Sequence, residues 1–238
     1  MVTTVFMDYD GTLHDFDSVL HRSLDGVLGF SGEDLLRIWI FDIHRGIVHA
    51  RHKERHDDMM FHCELLFRHL NRPFDHEAAD LICRRFEEAG QKARDDPIYF
   101  PDAIPALEEI RMMGLRICLS TGTFAEGKAE TLTRTTGKNY FEHIFSEPSI
   151  GYFKTEPKYY RIALERAGSR PEETVSVGDT PLSDIRPAKL AGIGTIWLNR
   201  RGEPAPASED QRADHEVKDL LQAAEILREW RVRKSKNY

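Results

Sequence analysis

The hydrophobic pattern separates the chain into a β-rich part and a helical part. From residue 101 onward, short apolar runs alternate with amphipathic stretches, and a similar apolar run lies near the beginning of the chain. Runs of this kind, bounded by glycine or acidic residues, are typical of buried parallel strands. They predict strands at residues 3–7, 115–119, 143–145, 174–177 and 194–198.

Between these runs lie segments whose apolar residues have helical periodicity. Apolar residues recur three and four positions apart, and glycine follows several of the stretches, as it does at many helix C-termini. Alternating strands and helices predict an α/β fold with a doubly wound parallel sheet. The predicted helices are residues 101–113, 157–167, 183–191 and 220–230, the last of them after a polar, proline-containing loop at 200–214.

Residues 16–97 do not continue this alternation. They contain helical runs at 32–48 and 59–69, few strand signals and many charges, which predicts an inserted helical cap domain. The α/β catalytic core would then consist of residues 1–15 and 98–238. An insertion at this point is expected to lie over the carboxyl ends of the strands, where open α/β sheets bind ligands.

Composition narrows the classes of function. The 33 basic and 40 acidic side chains give a net charge of −7, which argues against broad nucleic-acid binding. The basic segment at 231–236 is expected to be a solvated tail rather than a nucleic-acid arm. No stretch resembles a membrane span, and the first residues lack the pattern of a secretory signal. Cys63, Cys83 and Cys118 are widely spaced and indicate reduced thiols, so the expected location is the cytoplasm.

Polar side chains stand at or just after the ends of four predicted strands. Because the carboxyl ends of parallel strands meet at one edge of a sheet, we expect these side chains to converge. Taken singly, each has an ordinary explanation as a cap, a turn residue or a solvated charge. Their joint occurrence favours a single site. The residues are Asp8, Asp10, Ser120, Lys154, Asp179 and Asp184.

This set of residue types suits phosphoryl transfer without a nucleotide-binding motif. Carboxylates hold Mg²⁺, while the metal, an ammonium and a hydroxyl neutralise the phosphate oxygens. A remaining carboxylate can then act as the nucleophile. The residues therefore predict a magnesium-dependent phosphoryl-transfer enzyme with a small phosphorylated substrate.

Four segments resemble the signature motifs of the haloacid dehalogenase superfamily. Residues 8–13, DYDGTL, resemble its first motif, D-x-D-G-T-[LV], and residues 117–120, ICLS, resemble the second. Residues 151–157, GYFKTEP, resemble the third, although Thr155 follows the lysine where proline is usual. Residues 177–184, VGDTPLSD, resemble the fourth, G-D-x-x-x-x-D. The insertion lies where the family's C1-type cap does, as in phosphoglycolate phosphatases and β-phosphoglucomutase-like enzymes.

The resemblance implies roles for the four aspartates. Asp8 would attack phosphorus and form an aspartyl-phosphate, and Asp10 would protonate the leaving oxygen and later activate water. To protonate the leaving oxygen, Asp10 must itself carry a proton. Nearby negative charge is expected to raise the pKa of Asp10 and so favour that state. Mg²⁺ would bind Asp8, Asp179 and the backbone carbonyl of Asp10. Asp184 would be a further metal-binding or supporting acid.

The resemblance also implies a phosphate-binding set: the Ser120 hydroxyl, the amides of Thr121 and Gly122, and Lys154. Dehalogenases of this superfamily lack an acid at the position of Asp10, so its presence points to phosphate chemistry. The predicted function is hydrolysis of a small phosphomonoester by a monomer or homodimer. Two alternatives stay open: a phosphosugar mutase of the β-phosphoglucomutase type, and a catalytically idle relative that binds a phosphorylated ligand.

Histidines are concentrated in the insertion, where residues 44–76 hold seven of the eleven. His49, His52 and His56 stand at positions i, i+3 and i+7 of a possible helix. One hypothesis is a zinc site, although no cysteine or carboxylate spacing completes a tetrahedral set. The others are a basic surface at residues 51–56 that attracts an anionic substrate, and a solvated helix face.

Overall fold

The computed structural model describes residues 1–232, and the chain divides into two compact units. Met1–Asp15 and the chain from Ile98 onward form the first unit, and Phe16–Pro97 form the second. No helix among the described residues is both long and apolar enough to cross a membrane. Most of the predicted tail, residues 233–236, lies outside the described residues. That the second unit acts as a cap stays a prediction.

Phe16–Pro97 fold into helices and their connections. The helix at Met59–His69 matches its predicted range, whereas the helix predicted at 32–48 changes from α to π geometry at Ile38. The elements are α1 (Phe16–Leu24), α2 (Gly32–Arg37), a π-helix (Ile38–Val48), α3 (His49–Arg51), α4 (Met59–His69) and α5 (His76–Asp95), with 3₁₀ turns at Val27–Gly29 and Lys53–Arg55.

Side-chain caps define the starts of three of these helices. Ser31, Asp58 and Asp75 accept hydrogen bonds from amides in the first turns of α2, α4 and α5. The first amides of a helix have no partner within it, so each cap stabilises its helix at that end.

The first unit contains a sheet of six parallel strands: β1 (Thr4–Met7), β2 (Arg116–Ser120), β3 (His143–Phe145), β4 (Thr174–Gly178), β5 (Gly194–Leu198) and β6 (His215–Val217). Their order across the sheet is β3-β2-β1-β4-β5-β6. The chain winds outward in both directions from β1, which confirms the predicted doubly wound α/β fold.

Helices of the first unit are α6 (Ala103–Met112), α7 (Ala125–Thr136), α8 (Glu147–Ile150), α9 (Pro157–Ala167), α10 (Arg186–Leu190) and α11 (Leu220–Val232), with 3₁₀ turns at Pro171–Glu173 and Glu209–Gln211. The pattern analysis did not predict α7 or β6. The sequence of α7 contains four threonines and a glycine, so its apolar periodicity is weak. β6 has only three residues, two of them polar.

The helix predicted at 183–191 begins differently in the structure. Pro181–Ile185 form a π-helical turn, and α10 begins after it. Pro187 has no amide hydrogen to donate to the carbonyl of Ser183, four residues earlier. The hydroxyl of Tyr160 donates to that carbonyl instead, at 2.8 Å, so the break in the helix leaves this acceptor satisfied.

Alternate residues of the central strand enter two separate hydrophobic cores, as the pleat of a strand requires. Val5 and Met7 belong to a core that also contains residues of α6, α7 and α11. Phe6 belongs to the core formed with α9 and α10. Both faces of the sheet are therefore covered by helices. The polar side chains lie instead at the carboxyl ends of the strands.

Candidate active site

Three of the predicted site residues meet at the carboxyl edge of the sheet. Asp8 follows β1, Ser120 ends β2, and Asp179 follows β4. β1 pairs in register with β2 on one side and β4 on the other, which makes these positions neighbours. The amide of Asp8 donates to the carbonyl of Val177 at 2.9 Å and extends the ladder by one residue. The backbone of Asp8, the predicted nucleophile, is thus held by the sheet itself.

Lys154, in the turn before α9, reaches the same edge. Its Nζ lies 2.6 Å from Oδ1 of Asp8 and 2.6 Å from Oδ1 of Asp184. The backbone amide of Lys154 donates to the carboxylate of Glu147 at 2.8 Å, which anchors the turn. Thr155 stands where the related motif has proline, and the ammonium still contacts both carboxylates.

Three carboxylates form a buried cluster beside this ammonium, termed the carboxylate cluster. Asp8, Asp179 and Asp184 each offer one carboxylate oxygen, and these oxygens lie within 4.8 Å of one another. The residues are 8%, 6% and 1% exposed. Buried like charges at this spacing repel, so cationic side chains, a divalent cation or bound protons must compensate them. Carboxylate oxygens are the ligands that Mg²⁺ prefers, and the set therefore fits that ion.

Two glycines make room for the carboxylate cluster. A Cβ on Gly178 would lie 2.3 Å from Cγ of Asp184. A Cβ on Gly11, whose φ is +77°, would lie 2.6 Å from Oδ2 of Asp179. A side chain at either position would displace a carboxylate of the cluster.

Burial has the largest effect on the pKa values of Asp8 and Asp184. It raises the pKa of Asp8 above its ordinary value of 3.8, against the attraction of Lys154. It also raises the pKa of Asp184, again opposed by Lys154. Although burial lowers the pKa of Lys154, the carboxylates of Asp184 and Asp8 hold that pKa well above its ordinary value. The lysine is therefore charged at neutral pH. Together with the guanidinium of Arg201 beside Asp179, it supplies two positive charges against three carboxylates.

Asp10 has different surroundings. Its carboxylate lies 2.7 Å from Nζ of Lys128 and 2.9 Å from Nδ1 of His14. Partial burial opposes ionisation, but Lys128 and His14 hold the pKa of Asp10 well below its ordinary value. The expectation that negative charge raises this pKa is thus wrong for the substrate-free protein, because its contacts are hydrogen-bond donors. The side chain also lies outside the carboxylate cluster formed by the described residues, and metal binding by the Asp10 carbonyl stays a prediction.

The predicted phosphate-binding segment already makes contacts within the protein. Oγ of Ser120 donates to the hydroxyl of Tyr159 at 3.3 Å. The amide of Thr121 donates to the carbonyl of Phe145, the last residue of β3, at 3.0 Å. That amide extends the sheet and is not oriented toward a ligand, which corrects the expectation for Thr121. The carbonyl of Gly122 accepts a hydrogen bond of 2.8 Å from the first amide of α8, so the segment is fixed in position.

Three residues that the sequence analysis did not single out contact the site. Oγ1 of Thr12 donates to Oδ2 of Asp8 at 3.0 Å, and Nη1 of Arg201 lies 2.8 Å from Oδ2 of Asp179. Lys128 is the third, through the contact described above. Thr12 belongs to the DYDGTL segment, so the sequence motif alone could have marked it as a site residue. Lys128 lies on the weakly patterned α7 and Arg201 in a polar loop, so no sequence signal marked them.

Comparison with known proteins gives a consistent family. The chain matches the model of the haloacid dehalogenase-like hydrolases over residues 2–192. A phosphoserine phosphatase from Thermus thermophilus is 35% identical over 124 residues, which cover 51% of this chain and 49% of that protein. A glyceraldehyde 3-phosphate phosphatase from Methanopyrus kandleri is 34% identical over 133 residues, which cover 55% and 57%. These matches span about half the length of the curated relatives.

The fold is also similar to that of a solved structure. The structure of L-2-haloacid dehalogenase from Xanthobacter autotrophicus superposes with a TM-score of 0.65 at 20% identity, covering 96% of this chain and 99% of that chain. The segment matched by the family model contains all three members of the carboxylate cluster and Lys154. The chain therefore belongs to the haloacid dehalogenase-like hydrolases.

Proposed function

We propose that this protein is a magnesium-dependent phosphatase that hydrolyses a small phosphomonoester through an aspartyl-phosphate on Asp8. The observation that carries the proposal is the contact of 2.6 Å between the ammonium of Lys154 and Asp8, inside a buried cluster of carboxylates. The phosphatase names of the two sequence relatives support the same reaction class.

Asp8 is prepared for attack on phosphorus by contacts to both of its carboxylate oxygens. Oδ1 contacts Lys154, and Oδ2 accepts from Thr12. These contacts orient the carboxylate, and the ammonium offsets part of the repulsion between it and an incoming phosphate dianion. Mg²⁺ held by the carboxylate cluster would supply the remaining positive charge. The bond formed joins Oδ of Asp8 to phosphorus, and the ester oxygen leaves.

Asp10 is the proposed acid and base. In the substrate-free site it is ionised because of Lys128 and His14. That state suits the second step, in which the carboxylate accepts a proton from the water that attacks the aspartyl-phosphate. For the first step Asp10 must carry a proton to the leaving oxygen, and a phosphate dianion bound beside it would raise its pKa in that direction.

The carboxyl group at position 10 favours a phosphate ester over an alkyl halide as substrate. A halide leaves as a stable anion and needs no proton, so an acid beside the nucleophile would have no task in dehalogenation. An alkoxide leaving group does need one. The presence of an acid at position 10, two residues after Asp8, therefore supports phosphatase chemistry.

The test is hydrolysis of p-nitrophenyl phosphate with and without Mg²⁺. We expect wild-type protein and Asp80→Asn, a change at an exposed aspartate of the second unit, to release phosphate only with the metal. Asp8→Asn should lose roughly 10⁴-fold or more. Ester binding without turnover by wild type would indicate a phospholigand-binding protein, and transfer of phosphate between sugar hydroxyls without release would indicate a mutase.

The natural substrate would follow from a second assay on the same preparation. Phosphoserine and glyceraldehyde 3-phosphate are the first candidates, since the sequence relatives carry those names. Phosphoglycolate, sugar phosphates and nucleoside monophosphates complete the panel. The expected result is one ester with a kcat/KM well above that of p-nitrophenyl phosphate, because leaving-group contacts contribute to transition-state binding.

A further inference from the structure

We propose that the second unit holds a Zn²⁺ site formed by His44, His49 and His56, termed the histidine cluster. All three residues belong to Phe16–Pro97, and the site shares no residue with the carboxylate cluster. The inference does not rest on the phosphatase proposal, and its test does not measure hydrolysis.

The three rings converge. One ring nitrogen of each residue lies within 4.8 Å of the others. Ring centroids are 4.2 Å apart for His44 and His49, 5.0 Å for His44 and His56, and 4.8 Å for His49 and His56. In a tetrahedral zinc site with bonds of about 2.0–2.1 Å, the ligand nitrogens lie roughly 3.4 Å apart. Ring rotations that move the nitrogens by about an ångström would reach that spacing.

The π-helix explains why His44 and His49 face each other. In an α-helix, residues five positions apart lie about 140° apart around the axis. The π-helix at Ile38–Val48 closes a wider turn, and the amide of His49 donates to the carbonyl of His44, five residues earlier. The two side chains therefore project from the same side of the helix. Segments of π-helix occur frequently at functional sites, because they are otherwise unfavourable.

His49 is a shielded imidazole without a hydrogen bond. Both its Nδ1 and its Nε2 are buried, and neither has a hydrogen-bond partner within residues 1–232. Leaving such a group unsatisfied is unfavourable, since nearly all buried polar atoms in proteins find a partner. A metal ion between the three rings would be a partner for one of these nitrogens.

Hydrogen bonds fix which nitrogens of the other rings can bind a metal. Nδ1 of His62 lies 2.8 Å from the carbonyl of Asp58, and Nε2 of His62 lies 3.0 Å from Nδ1 of His44. A carbonyl only accepts, so Nδ1 of His62 donates, and Nδ1 of His44 donates to Nε2 of His62. Nε2 of His44 then keeps a lone pair. Nδ1 of His56 lies 3.0 Å from the carboxylate of Asp57, which orients that ring as carboxylates orient metal-binding histidines.

The donor set favours a transition metal such as Zn²⁺ over Mg²⁺. Imidazole nitrogens suit Zn²⁺, whereas Mg²⁺ prefers carboxylate oxygens. Three nitrogens leave a fourth position for water or another ligand.

His52 is the matched control. The sequence spacing grouped it with His49 and His56, but α3 ends just before it. Its Nδ1 lies 3.9 Å from Oε1 of Glu54, and its ring packs edge-on against Phe61. His52 thus lies in the same segment as the histidine cluster without contributing to it.

The experiment is a calorimetric titration of the metal-free full-length protein with Zn²⁺, in buffer that contains saturating Mg²⁺ to fill the carboxylate cluster. We expect one Zn²⁺ per chain for wild type and for His52→Ala, with similar affinity. His49→Ala should weaken binding by at least about 100-fold, at or beyond the 10–100-fold typical of losing a partner that only orients a ligand. Co²⁺ in place of Zn²⁺ should give the visible absorption of a tetrahedral site.

Circular dichroism shows whether His49→Ala folds. If it does not, His56→Ala repeats the test at a ring that is 25% exposed. Three outcomes overturn the proposal. The first is that wild type binds no stoichiometric Zn²⁺ with Mg²⁺ present. The second is that the folded His49→Ala or His56→Ala variant binds Zn²⁺ as tightly as wild type does. The third is that His52→Ala loses as much affinity for Zn²⁺ as those two variants do.

Discussion

Lys154 and Asp184 form a buried ion pair in which Nζ lies 2.6 Å from Oδ1, and both side chains are at most 5% exposed. The same ammonium contacts Asp8 at the same distance. Two buried carboxylates therefore depend on one cation, so this lysine contributes to the stability of the metal-free protein as well as to the proposed chemistry.

Replacing Lys154 by methionine should destabilise the metal-free protein at pH 7 by about 3–5 kcal/mol, because it leaves buried carboxylates uncompensated. Lys218→Met, at a side chain that is 56% exposed, should change stability by less than about 1 kcal/mol. Urea unfolding in EDTA measures both. Equal stabilities of the two variants would show that the ion pair does not compensate the site.

The pH dependence of stability should reveal the raised pKa of Asp8. In the metal-free protein, the folded state holds the Asp8 proton more tightly than the unfolded chain does. The contribution of this group is therefore fully present below about pH 4 and is lost as pH rises through the folded-state pKa. Asp8→Asn removes the titration, so its stability relative to wild type should increase from pH 4 toward neutral pH.

Urea unfolding of wild type and Asp8→Asn in EDTA across this pH range makes the comparison. Saturating Mg²⁺ should oppose the decline in wild type, because it binds the ionised carboxylates. A constant difference in the free energy of unfolding between the two proteins across this range would contradict the assignment of a raised pKa to Asp8.

Gly178→Ala should damage the carboxylate cluster, since its Cβ would lie 2.3 Å from Cγ of Asp184. We expect a loss of about 1–3 kcal/mol in the free energy of unfolding and weaker Mg²⁺ binding. Gly127→Ala is the control, because it lies within α7 and its Cβ would meet no atom within 4 Å. That change should stabilise the protein by about 0.4–1 kcal/mol. If Gly178→Ala bound Mg²⁺ with unaltered affinity, Asp184 would not contribute to the metal site.

Asp10→Asn should lower kcat by about 10²–10⁴-fold. The loss should be larger for an alkyl phosphate than for p-nitrophenyl phosphate, because p-nitrophenolate leaves readily without a proton. Initial rates with both esters measure the difference, with Asp80→Asn as the control. Equal losses for the two esters would argue that Asp10 acts only in the second step or only in positioning.

The positions of Asp8 and Asp179 could be predicted because their strands are short, apolar and buried, and because parallel strands end at a common edge. The doubly wound sheet followed from the same alternation. The contact of Lys128 could not be predicted, since α7 carries threonines where an amphipathic helix has apolar residues. The electrostatics of Asp10 were consequently misjudged, because its cationic neighbour lies on that helix.

The histidine cluster shows a second limit of pattern analysis. The spacing of His49, His52 and His56 assumes an α-helix, in which residues three, four and seven apart share a face. The π-helix changes that relation and brings in His44, five residues before His49. Nothing in the apolar pattern of residues 32–48 distinguishes α from π geometry, so the sequence alone could not predict which three histidine rings lie together.

The most direct test of the phosphatase proposal is chemical trapping of the intermediate. Wild-type protein is mixed with p-nitrophenyl phosphate and Mg²⁺, quenched within one turnover and reduced with borohydride, which converts an acyl-phosphate to an alcohol. Peptide mass mapping should then find homoserine at position 8, with no such product from Asp8→Asn. Homoserine at another aspartate, or undiminished turnover by Asp8→Asn, would contradict the role of Asp8 as the nucleophile.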